Sequence, residues 1–213
     1  HFASAGVRKK NIPYYEAKKF NVTDSLSLFK NAAKNNCKKW IIAGTASEYG
    51  SSCIGINKIN VKTEAKPNTA YEKTKYMFTK KIEILSRITN SKCRVMRIFP
   101  VYGEGESNRR FYPSIVQAAK KNKKFIVKNS EQIRDFTEVK LVSNVILDAC
   151  NFKKRKFDIF QIWHVSSGKP LKLKDFAKKI WKKHKSEGKL IFESKENKNY
   201  HNYVSDKKSI WRV

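Results

Sequence analysis

Tyr71 and Lys75, at the two ends of the run Tyr71-Glu72-Lys73-Thr74-Lys75, are the residues whose types and spacing most directly suggest chemistry. On a helix, positions four apart share a face, about one turn from each other. There a lysine ammonium stabilises a phenolate. A tyrosine with an ordinary pKa of about 10 could then trade protons with an alcohol or carbonyl oxygen near neutral pH. Thr45 lies 26 residues upstream, in the strand-to-loop run Trp-Ile-Ile-Ala-Gly-Thr-Ala-Ser-Glu-Tyr-Gly at 40–50, and its hydroxyl could bond the same oxygen. In a lysine-rich chain, Tyr-x-x-x-Lys also arises as a solvated helix face. The hydroxyl at the strand end, and Pro67 in the loop between, set this pair apart from that background.

Such residues need a scaffold, and the periodicity describes one of alternating strands and helices. Residues 23–35 read as a helix with Leu26, Phe29 and Ala33 on one face and Thr23 or Asp24 as N-cap. A short apolar strand follows at 39–44. A long amphipathic helix spans 68–88, with Tyr71, Met77, Phe78, Ile82 and Leu85 in its stripe. A buried strand is expected at 94–102, ending in Gly103. Helices at 111–121, 142–150 and 173–183 alternate with strands at 125–127, 160–165 and 190–192. This pattern means a mostly parallel sheet covered on both faces, an α/β fold. Ligands of such sheets bind at the strand carboxyl ends, where Thr45, the Pro100 turn and Ser166 all fall.

With 213 residues, 40% of them hydrophobic and 12% aromatic, the chain can bury a core and is not disordered. No apolar run approaches the roughly 20 residues of a membrane span, and no signal-peptide pattern is present. Cys37, Cys53, Cys93 and Cys150 show neither CxxC spacing nor clustering with histidine. They read as reduced, mostly buried thiols of a cytoplasmic protein. The formal charge of +29 raises nucleic acid or an anionic surface as a partner. Only nine of the 47 basic residues are arginine, however, and the lysines are scattered over every helix. Runs such as Lys120-Lys121, Lys123-Lys124 and Lys153-Lys154-Arg155-Lys156 sit at helix ends, where the dipole favours cations whatever the function. Compositional bias explains the charge, and nucleic acid is not the expected ligand.

Five landmarks occur in order: His1-Phe-Ala-Ser-Ala5, Gly44-Thr-Ala-Ser-Glu-Tyr-Gly50, Tyr71-Glu-Lys-Thr-Lys75, Arg97-Ile-Phe-Pro-Val-Tyr-Gly103 and Gln132-Ile-Arg-Asp-Phe136. Together they resemble the extended short-chain dehydrogenase/reductases that act on nucleotide sugars, the NAD-dependent epimerase/dehydratase family. Ile98-Phe99, Tyr102-Gly-Glu-Gly-Glu106, Phe111-Tyr-Pro-Ser-Ile115 and Glu131 to Phe136 look most like the CDP-abequose synthase type, which reduces the 4-keto group of a CDP-3,6-dideoxyhexose.

The resemblance implies a Rossmann-like doubly wound parallel sheet, an NAD or NADP cofactor and a nucleotide-sugar substrate, with a homodimer as one assembly it allows. It implies Tyr71 as catalytic acid/base, Lys75 as the lysine that lowers its pKa and bonds the nicotinamide ribose, and Thr45 as the hydroxyl that orients the substrate oxygen. Ser47 could supply that hydroxyl instead. Family 4,6-dehydratases carry adjacent Asp and Glu after this Thr; here Ala46 and Ser47 stand there, so elimination of water has no proton shuttle. A reductase or a 4-epimerase remains. Arg134 matches the arginine that clamps the substrate diphosphate, its fork suiting two phosphate oxygens. Arg110 is a second candidate for phosphate or ribose, with Arg109 an equally basic neighbour. Ala3 and Ser4 would pass the cofactor, and Phe99 and Pro100 would border the nicotinamide. Relatives often carry Asn at Pro100 and Asp at Leu141, so those contacts differ here. His1 reads as packing; His164, His184 and His201 have no metal-ligand spacing, and no metal is expected.

The glycine-rich turn that opens this family is not in the sequence. The expectation is therefore a chain lacking the first βα units of the sheet, with weak cofactor binding by itself. Residues 1–102 would carry the remainder of the NAD(P)-binding domain with the catalytic motif. Residues 103–213 would form mainly a small substrate-binding α/β lobe, with some segments returning to the sheet. From another class, a degenerate Rossmann-like module binding polyanions without catalysis is the alternative.

Overall fold

In the computed structural model, residues 1–6, 12–55, 58–153, 158–194 and 200–213 are described; the basic run 153–156 lies outside them beyond Lys153. Helix α1 (Tyr14–Lys18) passes through a π-helical turn at Lys19–Asp24 into α2 (Ser25–Lys34). Strand β1 (Lys39–Thr45), helix α3 (Ala70–Ile88), β2 (Lys92–Ile98) and the two-residue β3 (Val101–Tyr102) follow. Then come α4 (Phe111–Lys120), β4 (Phe125–Lys128), β5 (Ile133–Arg134), β6 (Thr137–Glu138) and α5 (Val139–Ala149). The last elements are β7 (Phe160–Val165), β8 (Leu171–Lys172), α6 (Leu173–Lys183) and β9 (Leu190–Glu193).

The central sheet is parallel, in the order β1-β2-β7. Its register sets Thr45 beside Ile98 and Ile98 beside Val165, so three strand ends finish level. The Ala43 N–H donates to the His1 carbonyl, which brings residues 1–6 alongside β1 at that same end. On one face Val22, Phe29, Phe78 and Ile82 pack on Ile42 and Val95. Val142, Val145, Ala149 and Trp211 pack on Met96 and Val165 in a second cluster. Each such large side chain removed from water contributes roughly 1.5–3 kcal/mol. With helices on both sides, the strands read as apolar runs and not as alternation.

Residues after 103 build a second cluster, where β4 pairs with β9 and α4 packs on α6 around Ile115, Val127, Phe176, Ile180 and Trp181. β7 returns to the central sheet.

Several expected boundaries move for physical reasons. Neither Thr23 nor Asp24 caps a helix start: the chain is already helical from Tyr14, and Asp24 (φ −67°, ψ −39°) pairs with Lys19. The long helix starts at Ala70, where Thr69 and Glu72 form a reciprocal capping box. The strand expected over 94–102 stops at Ile98, because Pro100 has no N–H to offer a ladder; the chain resumes as β3, paired with β6. Cys53 and Cys93 are buried, Cys37 is half-buried and Cys150 exposed, all four free.

Candidate active site

The level ends of β1 and β2, the first turns of α3, the 99–106 loop and the start of α4 enclose a cavity of about 680 Å³. Among the sequence-derived candidates, Ser4, Thr45, Ser47, Tyr71, Lys75, Phe99, Pro100, Arg110 and Arg134 line it. Ala3 does not; it is exposed outside the lining, as is Arg109.

Tyr71 is placed by the capping box of α3. The Thr69 hydroxyl accepts from the Glu72 N–H at 3.2 Å, while Glu72 accepts from the Thr69 and Asn68 N–H groups at 3.0 and 2.9 Å. Such a cap stabilises a helix start by about 1 kcal/mol and leaves its first turn little freedom. The Tyr71 phenol is hydrogen-bonded to the hydroxyls of Thr45 and Ser4. Asn21 holds Ser4 in turn: its side chain accepts from the Ser4 hydroxyl and Ala5 N–H at 3.1 and 2.7 Å and donates to the Ala5 carbonyl and Thr74 at 3.0 Å each.

Lys75 is 4% exposed, and its Nζ donates to the Ala43 carbonyl at 2.8 Å. Burial pulls the ammonium below the ordinary lysine range, against the nearby Glu48 charge. Lys75, expected to depress Tyr71, is not among the groups that move the phenol here. Burial pushes the Tyr71 phenol up, the Thr45 hydrogen bond opposes this, and Glu48 adds to the rise. Tyr71 is therefore a protonated donor at neutral pH in this structure.

Arg134 and Asp135 do not pair with each other. Asp135 accepts from the Ser166 and Ser167 hydroxyls and from the Ser167 and Gly168 N–H groups, 3.0 Å each for the latter two, and so fixes the loop after β7. Arg134 donates from Nη2 to Gln132 at 3.1 Å, and its buried Nε has no partner. Burial and neighbouring Arg110 both push its guanidinium down. Arg110 itself pairs with Glu106, Nε to Oε1 at 2.6 Å. Lys75, Arg110 and Arg134 thus share one cavity with Glu104 and Glu106, an excess of one cation that favours an anionic ligand.

The sequence reading missed Glu48, Glu106, Tyr203 and His164. Glu106 and Tyr203 line the cavity, and Tyr203 is hydrogen-bonded to Ser47. Glu48 is fully buried against Arg97. The available signal was Arg97 within an apolar strand, since a buried charge demands a counter-charge. No group of three metal-ligating side chains occurs among the described residues, and none of their helices is long and apolar enough to cross a membrane.

The model of the NAD dependent epimerase/dehydratase family matches residues 1–162. An uncharacterized protein of Methanocaldococcus jannaschii is 29% identical over 184 residues, which are 84% of this chain and 54% of that protein. The chain thus spans about half the length of this curated relative. Among solved structures, UDP-glucose 4-epimerase of Thermotoga maritima superimposes with a TM-score of 0.79 at 18% identity, over 96% of this chain and 67% of that one. UDP-N-acetylglucosamine 4-epimerase of Methanobrevibacter ruminantium gives 0.81 at 18%, over 96% and 66%. The dTDP-glucose 4,6-dehydratase DesIV of Streptomyces venezuelae gives 0.78 at 15%, over 100% and 66%. At these identities the structural likeness speaks to the fold.

Proposed function

The chain belongs to the NAD dependent epimerase/dehydratase family, and from that premise we propose that it acts on a nucleotide sugar, with Tyr71 as the acid/base. One observation carries this reading. A protonated phenol, hydrogen-bonded to Thr45, lines the same cavity as an arginine with an unpartnered buried N–H. Tyr71 gives the proton to a sugar oxygen, Thr45 aligns that oxygen, and Arg134 with Arg110 takes the diphosphate.

The residues also fit the reactive end of a nicotinamide cofactor. Lys75 has three N–H donors, of which Ala43 takes one, and Phe99 and Pro100 line the same cavity. NAD or NADP, when bound, supplies or accepts a hydride at the sugar carbon. Ser4, Tyr71 and Lys75 would hold the nicotinamide ribose side.

Reduction of a 4-keto group of a CDP- or similar NDP-deoxyhexose suits a tyrosine that is protonated at neutral pH. A 4-epimerase would use the same three residues, and two structurally similar proteins are 4-epimerases. Ala46 and Ser47 offer no acidic pair for elimination, which argues against a 4,6-dehydratase. The test supplies the purified chain with NADPH and an NDP-4-keto-6-deoxyhexose, following nicotinamide absorbance. In parallel, an NDP-hexose with NAD is watched by NMR for inversion at C4. Nicotinamide oxidation lost in Tyr71→Phe supports the reductase; C4 inversion supports the epimerase. No change in either assay, with calorimetry showing the nicotinamide cofactor bound to the chain, sinks both.

A further inference from the structure

Three successive turns of α3 clamp the end of β1. Tyr71 bonds the Thr45 side chain, Lys75 the Ala43 carbonyl, and Thr79 the carboxylate of Glu48, with Oγ1 3.0 Å from Oε2. These residues stand at intervals of four and so share one helix face. The first two contacts belong to the proposed chemistry. The third does not touch the cavity, because Glu48 is fully buried behind it.

Four donors converge on that carboxylate. The Thr45 N–H reaches Oε1 at 3.0 Å, while Thr79 Oγ1, Arg97 Nε and Arg97 Nη2 reach Oε2 at 3.0, 3.1 and 3.0 Å. Gly44 gives way to it. A Cβ there would stand 3.0 Å from Glu48 Oε1, 2.9 Å from Val95 and 3.1 Å from Arg97, so only glycine lets the strand pass over the pair. A buried ion pair of this kind is a weak source of stability, since desolvation offsets most of its attraction. It is a strong source of position, because every donor it satisfies is fixed in place.

We infer that Glu48 is a positioning residue for Tyr71, holding the strand end that carries Thr45 against the helix face that carries Tyr71 and Lys75. The inference rests on the acid/base role given above to Tyr71. Glu48 also acts through its charge, which opposes phenolate formation at Tyr71. The other groups around that phenol are Ser4 from the first residues, Thr45 from the β1 end, Lys75 on its own helix and Arg110 at the start of α4.

The experiment is ¹³Cζ-tyrosine NMR of the full chain titrated with base, with Tyr71→Phe identifying the signal and circular dichroism following the fold. Glu48→Gln removes the opposing charge and leaves Arg97 unneutralised, so the Tyr71 midpoint falls by about one pH unit. Thr79→Val keeps the charge but takes away one donor, so the midpoint rises by a few tenths. General loosening would not shift the two variants in opposite directions. Thr79→Val exchanges one β-branched residue for another and tests the inference by itself where Glu48→Gln does not fold. A Tyr71 midpoint that stays put in the folded variants, or moves the other way, overturns it. Neither readout needs turnover. If the midpoints move while nucleotide sugars go unchanged, the functional reading falls and the positioning role stands.

Discussion

The Tyr49 hydroxyl lies 2.6 Å from His164 Nε2, in a site neither residue shares with solvent. The direction of this bond follows from its neighbours. Ser205 donates to the Asp206 carbonyl at 3.0 Å, so its oxygen accepts from His164 Nδ1–H, at 2.7 Å. Nε2 is left as an acceptor, and Tyr49 donates to it. Arg97 lies over the Tyr49 ring at 4.4 Å and is hydrogen-bonded to its oxygen. A polar chain thus runs from Glu48 and Arg97 through Tyr49 and His164 to Ser205, close to the cavity-lining Tyr203.

This chain makes acid the weak point of the fold. Burial and the Arg97 charge hold His164 down to about 3, against about 6.5 for an unfolded histidine. Below about 6.5 the unfolded state therefore binds a proton that the folded state refuses. Stability is full above that pH and is lost progressively down to about 3. At pH 4.5 the expected loss is about 3 kcal/mol relative to pH 7 from this group. Urea midpoints at the two pH values measure it, and a His164→Gln variant should show a smaller difference.

Tyr71→Phe is expected to lower kcat by about 10²–10⁴-fold while leaving nucleoside diphosphate affinity within a factor of two. Thr45→Val acts on the same oxygen in a milder way. It removes a hydrogen bond that pulls Tyr71 down, so the Tyr71 midpoint rises. Calorimetric titration with UDP or CDP, beside turnover, separates the two effects; an equal loss of binding and turnover would place both residues in ligand binding only.

Arg134 has a buried Nε with no partner and Arg110 as a like-charged neighbour. Arg134→Gln should raise the melting temperature or leave it unchanged, and weaken nucleoside diphosphate binding by roughly tenfold or more. Arg134→Lys should recover only part of the binding, since a point charge cannot reproduce the fork. Lower thermal stability with unchanged affinity would make Arg134 a structural residue.

The sequence carried the repeating part of this architecture well. Phe160–Val165 and Leu173–Lys183 fall where their periodicity puts them, because an apolar stripe of the right period has one way to be buried. Special chemistry was less legible. The helical run starts at Tyr14 and continues through a π-helical turn into Ser25, with no side-chain cap at either junction to announce it. Glu48 and Arg97 are 49 residues apart, and only the parallel register of β1 and β2 brings them together. Arg94 raised the same question on the other side. It lies between the rings of Phe152 and Trp211, at 4.4 and 4.8 Å, a pairing that no local pattern announces.

Gly50 offers the sharpest test of how the site is assembled. Its φ is +53°, a region that glycine enters without penalty. A Cβ there would stand 1.9 Å from the Lys66 carbonyl oxygen and 2.7 Å from Pro67 Cα. The Ser51 N–H donates to that same carbonyl at 2.9 Å, and the Lys66 N–H returns a bond to Tyr49 at 3.1 Å. This close pass ties the turn after Thr45 to the segment leading into Thr69 and Tyr71. Both contacts are backbone, which cannot rotate away. Gly50→Ala should therefore destabilise the fold by about 3 kcal/mol or more, from combined overlap and left-handed strain. In variant that remains folded, separation of the two segments should break the Thr45–Tyr71 hydrogen bond. The Tyr71 midpoint would then rise as in Thr45→Val, and turnover would fall with it. Urea unfolding and tyrosine titration of the same sample read both effects. A variant as stable as the parent would show that the turn has another way to pass Lys66.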